Sequence, residues 1–289
     1  MRRRILRSAL PTRSNLRRSM PLDPAATLHA PDEHGLPRVS FWTRVHFFWA
    51  LAFTALTMVP CTAAALAHNA FRPTARTFKL WATLWARLVL MGAGVKIQSD
   101  VRAALGRDEP AVFVANHQNE LDIVTLLAGI PYPFGFMAKA ELRRVPVLGS
   151  VLKRTACLFV DRSDARRAVQ SIHEAAERIR EGNSVLVFCE GARSFSSQLL
   201  PFLRGAFVLA VEAGVPVVPV TIIDNYRLLD ERRAVGRVGT VRMVVGEAVS
   251  VEGKSRSDVP ALMAAVEASM QAELDRAHGV SCGPSPSSA

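Results

Sequence analysis

The chain has 289 residues, enough for one sizeable α/β domain with appendages or two small domains. Apolar residues make up 49% of it, with a mean hydropathy of +0.17, high for a freely soluble enzyme. Its 36 lysines and arginines against 25 acidic residues give a formal charge of +11, which favours anionic partners: nucleic acid, anionic lipid, or a phosphorylated or CoA-type substrate. Aromatic residues do not interleave with the basic clusters as single-stranded nucleic-acid binders require, so no nucleic-acid partner is expected. The cysteines, Cys61, Cys157, Cys189 and Cys282, are scattered without CxxC or histidine spacing. That sets aside a zinc site and a disulfide framework and fits a reducing compartment.

In chain order, residues 1–40 carry Arg2, Arg3, Arg4, Arg7, Arg13, Arg17, Arg18 and Arg38 with serines and prolines and little periodicity. They read as a disordered basic tail, with a transit peptide or a true start at Met20 as alternatives. Residues 41–93 read as a membrane-associated helical segment. No charged Lys, Arg, Asp or Glu lies between Arg44 and Arg72, and Phe47–Ala67 is just long enough for a spanning helix of about 20 residues. Pro60 predicts a kink or an interruption, and Phe41, Trp42 and Trp49 suit an interface. Thr74–Met91 follows with Phe78, Trp81, Leu84, Trp85 and Leu88 at helical spacing beside Arg76, Lys79 and Arg87. This is an amphipathic helix, either on a membrane surface or packed on the domain. Basic residues flank the apolar stretch on both sides, which suits a hairpin dipping into one leaflet better than a clean span.

Residues 94–278 read as one α/β domain with a mostly parallel sheet covered by helices. Short β-branched runs at Val95–Gln98, Ala111–Ala115, Leu158–Val160, Ser184–Phe188, Val215–Ile223 and Val241–Val245 alternate with helical patterns, of which Asp164–Glu181 after Ser163 as N-cap is the clearest. Residues 279–289 read as a disordered tail.

Four segments carry chemistry. In AVFVANHQNELDIVTLL (Ala111–Leu127), a strand runs into His117 and a helix begins near Asn119 or Glu120. Within one helix, His117 and Asp122 would lie about 140° apart, so they meet only if His117 sits on the turn before it. A carboxylate that fixes one imidazole nitrogen leaves the other free to take a proton from a hydroxyl, while the alternative is a plain structural pair. In VFCEGARS (Val187–Ser194), Gly191 makes a turn at a strand's carboxyl end, where Arg193 offers a fork suited to phosphate and Glu190 orients Arg193 or bonds an acceptor hydroxyl. Lys139 can hold a phosphate as a point charge, whereas Arg143 and Arg144 read as a solvated face; Pro146 and Gly149 make a turn and Asp161–Arg162 an internal ion pair. Arg204 and Gly205 precede a helix over Ala206–Ala213. Pro216 and Pro219 in VPVVPV argue against a fully paired central strand, leaving a wall of an acyl-chain groove or core.

The order of these segments resembles the glycerolipid acyltransferases. Asn116–Asp122 is similar to that family's NHxxxxD block, Lys139-Ala140-Glu141-Leu142 through Arg162 to its second, FCEGARS to its FPEGTRS block and VPVVPV to its last; the likeness covers roughly Trp81–Gly246. It implies His117 as general base with Asp122 as orienter. It sets Glu190, Gly191 and Arg193 at the acceptor's glycerol phosphate with Lys139 as a second contact. It also implies acyl-CoA or acyl-carrier protein as donor, no cofactor, no metal, and a membrane location, here the cytoplasmic side of a bacterial inner membrane. The expected reaction is acyl transfer to lysophosphatidic acid. A lyso-ornithine lipid or another lysophospholipid is the alternative acceptor, and a non-catalytic lipid-binding protein or a thioester hydrolase the alternative of another class. Cys189 and Ala192 replace the family's Pro and Thr beside the charged positions.

Overall fold

A computed structural model describes residues 39–71, 74–106, 109–139, 157–160 and 165–279. The expectations for residues 1–38 and 280–289, and those on Arg143, Arg144, Pro146, Gly149, Asp161, Arg162 and Ser163, lie outside the described residues, as does the side chain of Lys139.

The first helix, α1, spans Phe41–Phe71, longer at both ends than its apolar centre predicts. It starts where Ser40 and Thr43 cap each other: Ser40 N–H donates to Thr43 Oγ1 at 2.8 Å and Thr43 N–H to Ser40 Oγ at 3.2 Å. Pro60 lies inside α1 and does not interrupt it, although it costs the carbonyl of Leu56 its helical donor. The second helix, α2, spans Ala75–Gly92 and is capped by Thr74, whose Oγ1 accepts from Thr77 N–H at 3.1 Å.

The two helices run antiparallel. His46 Nε2 lies 3.0 Å from the Ala93 carbonyl, Trp49 Nε1 donates to Gly92 O at 2.9 Å, and Trp81 Nε1 donates to His68 Nδ1 at 3.1 Å. One side of α2 is fastened to the domain. Ala86, Val89 and Leu90 are buried with Leu121, Val124 and Ala128 of the third helix, α3 (Leu121–Gly129). Lys79 Nζ and Thr83 Oγ1 both donate to the Leu127 carbonyl near the α3 C-terminus, at 2.8 and 2.9 Å. The other side stays apolar and open, at Leu80, Leu84 and Met91 of α2 and at Phe48, Trp49, Leu51, Leu56 and Val59 of α1. The helix α1 is long and apolar enough to cross a membrane, and little of it is buried in the protein.

Among the described residues, seven strands form the main sheet: β1 (Val95–Val101), β2 (Val112–Ala115), β3 (Gly135–Lys139), β4 (Leu158–Val160), β5 (Val185–Phe188), β6 (Val217–Ile223) and β9 (Gly239–Val245), in the order β1-β9-β6-β2-β5-β3-β4. From β6 to β4 neighbours are parallel; β9 runs antiparallel to β6, and β1 parallel to β9. The mostly parallel, helix-covered sheet expected from the alternating pattern is therefore present. Every residue of β2 and β6 is buried, as a sheet covered on both faces demands. On one face Val112, Val114, Val185 and Val187 pack on α4 (Ala165–Arg180), α5 (Gly205–Ala213) and α6 (Val259–His278). On the other, Phe113, Ala115, Leu186 and Ile222 pack on Leu126 and Ile130.

One expectation is corrected here. The strand β6 is central, between β2 and β9, although it contains Pro219. The Pro219 carbonyl accepts from Gly246 N–H at 2.8 Å, on the β9 side. The missing N–H of a strand residue points the same way as its carbonyl. The lost bond thus falls where the β6–β9 ladder ends, and the pairing with β2 is untouched. The two remaining strands, β7 (Leu229–Asp230) and β8 (Val235–Gly236), form a hairpin against α1. A Cβ on Gly236 would stand 3.0 Å from the Phe47 Cα, so this contact needs glycine.

Replacing Phe48, Leu56 and Val59 together by glutamate removes roughly 1.5–3 kcal/mol of transfer free energy per side chain. The variant is expected to lose co-sedimentation with phospholipid vesicles while its far-ultraviolet dichroism is unchanged; undiminished vesicle binding would refute a lipid-facing role for this side.

Candidate active site

Strands β2 and β5 end side by side, with Ala115 opposite Phe188, while β6 runs on past Val220 to Ile223, so the segments that follow β2 and β5 share the sheet's carboxyl edge. Polar side chains anchor the first of them. Asn116 extends the β2–β6 ladder with its amide, accepting from Ile222 N–H at 2.7 Å and donating to Ile222 O at 3.0 Å. Gln118 accepts from Tyr226 N–H at 3.2 Å. Asn119 accepts from Leu121 N–H at 3.0 Å at the head of α3 and donates to the carbonyls of Asn225 and Leu229, both at 2.8 Å.

These anchors leave His117 on the turn and Asp122 in the first turn of α3, the arrangement their spacing requires. His117 Nδ1 lies 2.8 Å from Asp122 Oδ2. The same oxygen accepts from Gln118 N–H at 2.5 Å and Asn119 N–H at 3.0 Å, and the side-chain amide of Asn225 donates to Oδ1 at 2.8 Å. Asp122 is fully buried, whereas the His117 side chain keeps 14% of its surface exposed. A carboxylate only accepts, so Nδ1 carries a hydrogen, and in the neutral ring Nε2 holds the lone pair. The ring lies flat on Phe188, with centroids 3.8 Å apart.

The segment after β5 is laced to the one after β2 by main-chain bonds. Cys189 N–H donates to Ala115 O at 3.0 Å, Ser194 N–H to His117 O at 2.8 Å and Phe195 N–H to Gln118 O at 3.1 Å. Gly191 makes its turn at φ +69°, a conformation that favours glycine. The Cys189 thiol is buried and donates to Ala115 O; Ala192 is exposed.

Glu190 is buried, with Oε1 accepting from His117 N–H at 3.4 Å and Oε2 unpartnered among the described residues. Burial raises its pKa from 4.5 to about 7, against the opposing effect of the His117 N–H. Arg193 is not oriented by Glu190. Its Nη1 is held by Glu120, at the head of α3, and by Glu231 Oε1 at 2.8 Å, on the turn between β7 and β8. Lys139 closes β3 opposite Val160.

The structure thus brings together His117, Asp122, Glu190, Gly191 and Arg193. It adds residues that sequence spacing did not single out. Asn225 is one: it stands 103 residues from Asp122 in the chain, and its only local signal is the Asp-Asn pair that makes a turn, with Asp224 at φ +68°. Glu120 and Glu231 are the others.

An imidazole backed by a buried carboxylate at the edge of such a sheet is a pair with the chemistry to accept a proton. The acyltransferase family model matches residues 95–223. Of the relatives, an uncharacterized acyltransferase of Schizosaccharomyces pombe is 38% identical over 173 residues, 59% of this chain and 62% of its own length. The human 1-acyl-sn-glycerol-3-phosphate acyltransferase beta is 30% identical over 224 residues, 77% of this chain and 79% of its own length. Among solved structures, the 1-acyl-sn-glycerophosphate (LPA) acyltransferase PlsC of Thermotoga maritima shares the fold, with a TM-score of 0.70 at 22% identity over 84% of this chain and 98% of that one. The chain belongs to the acyltransferase family.

Two outcomes test this geometry. Asn225→Ala leaves a buried carboxylate oxygen without its donor and is expected to cost about 1–3 kcal/mol, read from the midpoint of denaturant unfolding. A carboxyl whose folded pKa is raised lends stability below its unfolded value and loses it as pH rises through the folded one. Glu190→Gln is therefore expected to match wild type near pH 4.5 and to gain in thermal midpoint as pH rises through about 7; parallel midpoints across that range would contradict the buried carboxyl.

Proposed function

We propose that the protein transfers a fatty acyl group from acyl-CoA or acyl-carrier protein to the free hydroxyl of lysophosphatidic acid, giving phosphatidic acid, with His117 as general base. The observation that carries this reading is the 2.8 Å bond from His117 Nδ1 to the buried Asp122, which leaves Nε2 as the basic atom on an open sheet edge. The acceptor hydroxyl gives its proton to Nε2 as its oxygen attacks the thioester carbonyl. The tetrahedral oxyanion collapses, the carbon–sulfur bond breaks, and the departing thiolate takes the proton back from Nε2. No acyl-enzyme forms, and the chain has no GxSxG elbow to host one.

In this reading Asp122 fixes the ring and its tautomer. Arg193 receives the acceptor's phosphate, Gly191 lets the backbone approach the glycerol, Glu190 braces that turn against His117, and Lys139 is a second phosphate contact. The relatives' names support lysophosphatidic acid as acceptor. The open apolar side of α1 and α2 supports a membrane lipid environment, which we assign to the cytoplasmic face of a bacterial inner membrane. A second reading keeps the chemistry and changes the acceptor to a lyso-ornithine lipid or another lysophospholipid; the two carboxylates on Arg193 favour it.

The test is to incubate the full chain in mixed micelles with labelled acyl-CoA and lysophosphatidic acid and to look for phosphatidic acid. His117→Ala is expected to lower kcat by roughly 10²–10⁴-fold, with Asp122→Ala close behind, in protein that still folds. Arg193→Ala is expected mainly to raise the acceptor KM. Wild-type kinetics in any of the three would remove the role given to that residue.

A further inference from the structure

The structure assigns to Glu120 and Glu231 the discrimination of acceptor head groups by their charge. This rests on the reading of Arg193 as the phosphate contact, and it concerns Glu120, a position that the NHxxxxD pattern leaves open, and Glu231, which lies beyond VPVVPV.

The argument is electrostatic. Arg193 stands at the mouth of the site with one positive charge and two carboxylates on its Nη1, Glu120 from the head of α3 and Glu231 from the β7–β8 turn. The three come from separate segments, so the grouping is built by the fold and not by local sequence. Arg232 lies over the Phe195 ring at 3.6 Å, with its own charge matched by Asp230 at 3.2 Å. Among the described residues, the Arg193 guanidinium thus faces two carboxylates. Since Nη1 takes both, the opposite side of the fork, Nε with Nη2, is taken up by neither. A phosphate can dock there without breaking an ion pair, but it meets two like charges just behind the guanidinium.

That repulsion does not act equally on all acceptors. A phosphate monoester head carries close to two negative charges, whereas a zwitterionic phosphodiester head such as phosphoethanolamine carries none net. Glu120 and Glu231 thus narrow the preference that Arg193 alone would give the monoester, and the ratio of the two acceptors is set by how many carboxylates face the fork.

The glutamine substitutions isolate charge from geometry, because the amide oxygen still accepts from Nη1. The experiment compares wild type, Glu120→Gln, Glu231→Gln and Arg193→Ala, each as full chain in mixed micelles, for kcat/KM with lysophosphatidic acid and with lysophosphatidylethanolamine. Each glutamine variant is expected to raise the ratio of the first acceptor to the second by roughly two- to fivefold at low salt, the range of single exposed charge interactions. The gain should shrink as ionic strength rises. An unchanged or lowered ratio in both variants, beside an Arg193→Ala that raises the KM for both acceptors, would overturn this inference and leave the phosphate contact standing. An Arg193→Ala that leaves both KM values unchanged would overturn the phosphate contact and the discrimination together.

Discussion

The buried carboxylate of Asp122 is the constraint on which the rest of the site depends. An ionised group taken wholly out of water must have its acceptor capacity met, and here four donors meet it: the imidazole, two main-chain N–H groups and the Asn225 amide. Supplying them requires the chain to turn sharply between β2 and α3. That turn needs Asn116, Gln118 and Asn119 pinned to β6 and to the segment beyond it. The run of buried polar side chains after Ala115 is thus the scaffold of one charge.

The same turn explains why the next segment lies where it does. Its carbonyls at His117 and Gln118 accept from Ser194 and Phe195, so the second loop is hung from the first. Glu190 is enclosed by that lacing, and its enclosure lifts its pKa toward neutrality. Arg193, on the far side of Gly191, faces outward to meet carboxylates from two other elements. One turn therefore separates an inward-facing carboxyl from an outward-facing cation.

Much of the fold was legible in the sequence because β-branched runs and helical spacing are local signals; β2, β5, β6 and α4 fell close to their expected limits. The His117–Asp122 pair was legible because its spacing allows few geometries. What spacing does not carry is tertiary pairing. The donors and acceptors at Asn225 and Glu231 reach the site from beyond β6, across more than a hundred residues and 38 residues respectively. Of the two partners expected for Glu190, Arg193 or an acceptor hydroxyl, the first is not met: the turn at Gly191 sends the two side chains apart, and Arg193 pairs with Glu120 and Glu231. Pro219 misled for a related reason: a proline forbids one bond, and only the register of β9 shows that this bond falls at the end of a ladder.

Helix α3 carries Asp122 in its first turn and offers the Leu127 carbonyl to Lys79 and Thr83 near its last. Five residues at 1.5 Å each put these two points about 8 Å apart along a rigid axis. Gly236 brings the β7–β8 turn, with Glu231, onto the neighbouring helix α1. The segment with Asp122 and the hairpin with Glu231 are thus both tied to the apolar pair of helices α1 and α2. Wherever that helix pair rests in a lipid sheet, the depth at which the His117 imidazole sits is set by a helical ruler.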